Sequence, residues 1–127
     1  MPEQHVFEYA VIRIVPKVER GEFLNAGVIV FCKRTKFLAM RYKVDAPRLQ
    51  AFAHDIDLEE IAQYLAAWDV ICKGSAAAGE FALRDTAERF RWLTAATSTI
   101  LQCSKVHPGR CSDPEFVLGD LFGKYVG

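Results

Sequence analysis

Two stretches constrain the fold of this chain more than any other. Phe7 to Val15 reads Phe-Glu-Tyr-Ala-Val-Ile-Arg-Ile-Val, and Leu24 to Cys32 reads Leu-Asn-Ala-Gly-Val-Ile-Val-Phe-Cys. Both are rich in β-branched and aromatic residues, the composition of strands. Both also carry apolar residues on each of their two alternating sets, so both need cover on two faces. Pro16 has no N–H for a ladder and ends the first strand. Lys17 to Glu22 is polar, contains Gly21, and reads as a hairpin loop. Gly27 inside the second strand signals a bulge or the close approach of another backbone. After a turn at Lys33-Arg34-Thr35-Lys36, Phe37 to Val44 alternates more cleanly. Leu38, Met40, Tyr42 and Val44 fall on one side and Arg41 and Lys43 on the other, which predicts a strand with one face toward water. Three strands joined by short loops make an antiparallel meander.

The period then changes from two to between three and four. Asp45 reads as the N-cap of a short helix through Ala53, with Pro47 in its first turn. Asp57 opens a second helix with Glu60 at capping-box spacing. There Leu58, Ile61, Leu65, Trp68 and Cys72 form one apolar stripe that Gly74 terminates. Ser75 to Gly79 is small and reads as loop. Asp85 and Glu88 repeat the capping spacing before a third helix, Thr97 to Gln102 reads as a fourth strand, and Ser104 to Ser112 reads as loop around Pro108-Gly109. Asp113 caps a terminal helix with Pro114 at its first position and Val117, Leu121, Phe122 and Tyr125 on its buried stripe. The expectation is a single α+β domain over residues 1–127, with an antiparallel sheet of about four strands and three or four helices packed mainly on one face. A chain of this size buries roughly two-thirds of its unfolded surface and needs no metal or disulfide staple.

Several function classes recede on composition. With 51% apolar and 25% charged residues the chain is neither disordered nor low-complexity. Sixteen basic side chains balance 16 acidic ones, which argues against a polybasic binder. The balance is uneven along the chain: residues 1–44 carry 8 basic and 4 acidic groups, residues 45–72 carry 1 and 6. The reading preferred is complementary faces of one fold. Lys33, Arg34, Lys36, Arg41 and Lys43 make one hairpin basic, with Phe37 and Tyr42 nearby, but such turns are more often solvated, and nucleic acid is not the expected partner. The start of the chain has no basic n-region, and no apolar run approaches the ~20 residues of a membrane span, so a cytoplasmic protein with reduced thiols is expected. Cys32 and Cys72 read as core residues. Cys103, His107 and Cys111 are each four residues apart, but the intervening Pro108 and Gly109 suggest loop, and neither metal nor cofactor is expected. His107 with Asp113 and Ser98 lacks a nucleophile elbow, and no phosphate loop or dinucleotide fingerprint is present.

Two groups of residues stand out against this background. Arg13, Glu19, Arg20, Glu22 and Asn25 cluster at one hairpin end. Arg13 interrupts an apolar strand, and a buried guanidinium demands a partner, so Glu22 or Glu19 is expected to pair with it. Such a cluster either fixes hairpin register or offers a pocket for an anion or a partner's carboxylate. Arg89, Arg91 and Trp92 combine residue types enriched at binding hot spots, while Phe90 and Leu93 of the same helix must face the core. His107 completes the set of candidate binding residues.

The stretches that carry these residues are Tyr9 to Pro16 continuing through Glu19 to Val28, and Arg89-Phe90-Arg91-Trp92-Leu93-Thr94-Ala95 followed by Ser98 to Gln102 and Val106-His107. Together they resemble the bacterial family catalogued as domain of unknown function 3037, over nearly the whole chain. The resemblance implies a small cytosolic protein with no assigned activity. It also implies a recurring gene neighbour of HipA-like kinases, hence a partner or regulator. The chain departs from the family pattern at Ala96-Thr97, where Pro-Arg is usual, and in having cysteine at 103 and 111. The function expected is a non-catalytic protein-binding or regulatory module, with a HipA-like kinase as candidate partner. The alternative is a small enzyme or ligand-binding protein for a phosphate- or carboxylate-bearing substrate.

Overall fold

The computed structural model describes residues 3–17, 20–75, 79–80, 83–95 and 100–127. The first three strands are β1 (His5–Ile14), β2 (Leu24–Cys32) and β3 (Phe37–Tyr42), and they form the expected meander. Helices α1 (Ala46–Phe52), α2 (Leu58–Lys73) and α3 (Thr86–Ala95) follow, then β4 (Leu101–Cys103), β5 (His107–Cys111) and α4 (Pro114–Tyr125). The sheet is antiparallel in the order β3-β2-β1-β4, with β5 also pairing β1.

Helix starts are set locally, as their sequences require. Asp45, Asp57, Asp85 and Asp113 each accept a hydrogen bond from a backbone N–H two or three residues on, at 2.8–3.3 Å. These bonds satisfy donors that the first turn leaves open. Gly74 ends α2 with φ 65°, a left-handed conformation that glycine adopts without penalty.

Both faces of the central strands are covered. On one face Ile12, Ile14 and Ile29 meet Leu49 of α1, Ile61, Leu65 and Trp68 of α2, Phe90 and Leu93 of α3, and Leu101 of β4. On the other, Phe7, Val28, Val30 and Cys32 meet Leu118 of α4 and Cys111 of β5. Three helices thus share one face and α4 takes the opposite one. That placement modifies the reading of β3: Phe37 and Ala39 pack into the α4 cluster, and the Arg41 guanidinium lies 5.9 Å from the Phe122 ring centroid. The side expected to face water is covered in part by α4.

The segment expected to be a loop after Ser104 contains β5. Pro108 and Gly109 read as a turn, yet both fit an edge strand. Proline's missing N–H costs nothing when that edge has no neighbour. Gly109 stands opposite Phe7, whose ring occupies the space a side chain would need: a Cβ there would come within 2.5 Å of Phe7 Cζ. The expected strand over 97–102 is narrower, Leu101–Cys103, and residues 96–99 lie outside the described residues.

Two bulges set the side-chain pattern. Between β1 and β2, Ile12 pairs with Gly27 but Arg13 pairs with Asn25, so Ala26 is an extra residue. It turns Ala26 toward the α1–α3 side and leaves Asn25 on the α4 side. Between β4 and β5, Ser104, Lys105 and Val106 span the place of two β1 residues. Val11 N–H donates to Ser104 Oγ at 2.8 Å, and Ser104 N–H donates to the Val11 carbonyl at 2.8 Å. The serine hydroxyl thus replaces a missing ladder acceptor. Ser104→Ala is expected to cost about 1–3 kcal/mol, because it leaves a buried amide unpaired. Urea unfolding together with faster exchange of the Val11 amide checks this.

Candidate functional site

Residues directly opposite one another in an antiparallel sheet share a face. Arg13 of β1 stands between Asn25 of β2 and Gln102 of β4, so these three form a polar row across three strands. Their chain neighbours Ile12, Ile14, Leu24, Leu101 and Cys103 all turn into the α1–α3 core, which leaves the row on the α4 side. Two rungs further along β1, Tyr9 stands opposite His107 on the same face. Their ring centroids are 5.3 Å apart, and the Tyr9 hydroxyl lies 3.1 Å from that of Tyr125 in α4. Asn25 Nδ2 donates to the Tyr125 carbonyl at 3.2 Å, which ties the row to the end of α4.

The expected carboxylate partner of Arg13 is not Glu22. Glu22 pairs with Arg20 instead, Oε1 to Nε at 3.0 Å, and Glu19 lies outside the described residues. The Arg13 guanidinium lies over the ring of Phe23, its carbon 4.0 Å from the centroid, where the negative ring face compensates part of its charge. That arrangement needs no ion pair, yet it leaves hydrogen-bonding capacity unused. Arg13 Nε and Asn25 Oδ1 are both buried without a hydrogen-bond partner. One is a donor and the other an acceptor, on paired residues of adjacent strands. Orphaned groups of this kind cost stability unless water or a ligand fills them.

The remaining candidates sit elsewhere. Arg20 and Glu22 border a cleft that Phe52, His54 and Asp55 also line. Arg89 is buried on the opposite side of the sheet, where a Cβ added to Gly74 would overlap its Nη1. Its guanidinium packs against the C-terminal end of α2, where the helix dipole favours a cation. Arg91 and Trp92 are exposed on α3, beside the Arg84–Glu88 ion pair at 3.1 Å, and border a shallow depression. The structure therefore brings Arg13, Asn25 and His107 to one face and separates them from Arg20 and Glu22, and from Arg89, Arg91 and Trp92. Gln102, Tyr9, Phe23 and Tyr125 join the face without having been singled out. No local pattern announces them, because strand pairing places Gln102 and Tyr9, the packing of α4 places Tyr125, and the path of the hairpin places Phe23.

Cys103 faces the α1–α3 core and Cys111 the α4 cluster, so with His107 they cannot ligate one ion. Among the described residues no group of three His, Cys, Asp or Glu side chains is placed to hold a metal. Burial pushes the Cys103 thiol up to about 12, against a smaller lowering by Arg13. Burial likewise raises Cys72, and Cys111 in the same direction. These are neutral thiols at physiological pH, not nucleophiles. Tyr9 is raised first by its hydrogen bond to Tyr125 and then by burial, so it stays a neutral donor and acceptor. The face offers guanidinium, amide, phenol and imidazole groups for recognition. Among the described residues no helix is long and apolar enough to cross a membrane.

No curated protein and no solved structure matches the chain. A family model described as protein of unknown function (DUF3037) matches residues 9–126, which include both signature stretches and every group of the polar row. The chain belongs to the DUF3037 family.

Proposed function

We propose that the chain is a non-catalytic binding or regulatory module that recognises a protein partner through the face bearing Arg13, Asn25, Gln102, Tyr9 and His107. The observation that carries this reading is the convergence of both signature stretches on one row, where Arg13 Nε and Asn25 Oδ1 are buried without partners. A donor and an acceptor side by side suit a peptide or carboxamide group, and an arginine over an aromatic ring is a usual hot-spot element. A HipA-like kinase is the candidate partner, suggested by the gene neighbourhood of the family. The neutral thiols and the lack of an activated nucleophile among the described groups favour binding over covalent chemistry.

The test is quantitative capture of such a kinase by the full chain. Gln102→Ala and Arg13→Gln are expected to weaken binding by about 2 kcal/mol or more, on the order of thirtyfold. Arg20→Ala and Arg91→Ala, at other sites, are expected to bind as wild type. Equal affinity of all four variants, with unchanged melting temperatures, would remove this face as the interface.

A further inference from the structure

A second site lies at the end of the first hairpin. A cleft of about 190 Å³ is lined by Lys17, Arg20 and Glu22 on one side and by Phe52, His54 and Asp55 on the other. That volume is below the ~300–1,000 Å³ of pockets for drug-sized molecules, so the occupant is small. Among the described lining residues, basic and acidic side chains are balanced. Lys17 and Arg20 supply two basic side chains, Glu22 and Asp55 two carboxylates, and His54 an imidazole. A bare anion gains from the first pair and is opposed by the second; a bare cation meets the reverse. Phe52 adds an apolar wall.

We infer that this cleft binds a free α-amino acid with an apolar side chain. Such a ligand carries adjacent opposite charges and a non-polar end, the three features that the lining presents. Its carboxylate takes Lys17 and the outer nitrogens of Arg20. Its ammonium takes Asp55 and the second oxygen of Glu22, and its side chain lies on Phe52. The Arg20–Glu22 pair does not block this. The contact between them is Nε to Oε1 at 3.0 Å, and both side chains are more than half exposed, at 64% and 54%. An exposed pair of this kind is weak and free to take on further partners. The inference is independent of the sheet-face reading, since the two sites share no side chain.

The experiment is an amide-resolved NMR titration of the full chain with L-leucine, and in parallel with acetate, inorganic phosphate and n-butylamine. L-leucine is expected to give saturable shifts at the amides of Lys17, Arg20, His54 and Asp55, and the three single-charge probes none. Arg20→Gln and Asp55→Asn are each expected to weaken L-leucine binding about tenfold or more, while Arg91→Ala leaves it unchanged. Melting temperatures of the variants confirm that each is folded. Three results overturn the proposal: no saturable shift with L-leucine, equal response to acetate or phosphate, or undiminished binding by both variants.

Discussion

Truncating Phe90 to alanine is expected to remove about 3–5 kcal/mol of stability, the range for a large buried aromatic. Phe90 is 2% exposed and its ring stacks on Phe31 of β2, centroids 5.1 Å apart and planes 24° from parallel. It is one of only three buried side chains on α3, with Arg89 and Leu93. A ten-residue helix is marginal by itself and depends on docking. Removing its main aromatic anchor therefore opens a cavity against the sheet and loosens the helix that displays Arg91 and Trp92. Stability of the whole domain is expected to lie near 5–15 kcal/mol, so the loss is a large share of it. Urea unfolding followed by far-UV circular dichroism measures the change, and amide exchange tells whether α3 opens before the sheet. A loss below about 1 kcal/mol would mean that α3 contributes little packing energy.

Gly27→Val is expected to be comparably severe, at about 3 kcal/mol or more, by overpacking instead of a cavity. A Cβ at Gly27 would stand 2.7 Å from the Arg41 carbonyl oxygen and 3.0 Å from the Tyr42 Cβ. The obstacle is the backbone of a paired strand, so no rotamer change relieves it. Gly27 adjoins the bulge at Ala26, and any shift there moves Asn25 and the polar row. The variant should thus lose stability and also disturb the Asn25–Tyr125 hydrogen bond. Thermal unfolding with the chemical shift of the Asn25 side-chain amide tests both effects. A valine accepted with an unchanged melting temperature would show that β2 and β3 can separate locally at no cost.

The sequence was most informative where the physics is local. The four aspartate caps, Gly74 as a helix stop and the two-sided burial of β1 and β2 were legible because each depends on neighbouring residues. The glycine in β2 was legible as well, and it answers to both of its expected roles, adjoining a bulge and meeting the β3 backbone. β5 was hidden because Pro-Gly is a turn signal at short range. Only the Phe7 ring over Gly109, supplied by a distant strand, makes that dipeptide acceptable within a sheet.

The candidate site was legible in its parts but not in its assembly. That Arg13 needs compensation follows from the cost of burying a guanidinium, but which group provides it depends on the path of the hairpin. Phe23 does so, and Glu22 is taken by Arg20. Likewise, hot-spot composition marks Arg91 and Trp92 as readily as Arg13, yet says nothing of which sheet face each occupies.

What the residues determined unaided was an α+β chain with strands needing cover on both sides and helices with marked ends. What the tertiary structure alone decided was which polar groups became neighbours: Arg13 with Gln102, Tyr9 with His107 and Tyr125. The reason is that caps and periodicity are short-range properties of the backbone, whereas register across a sheet is a long-range one. A single extra residue at Ala26, and another before β5, sets which side chains share a face.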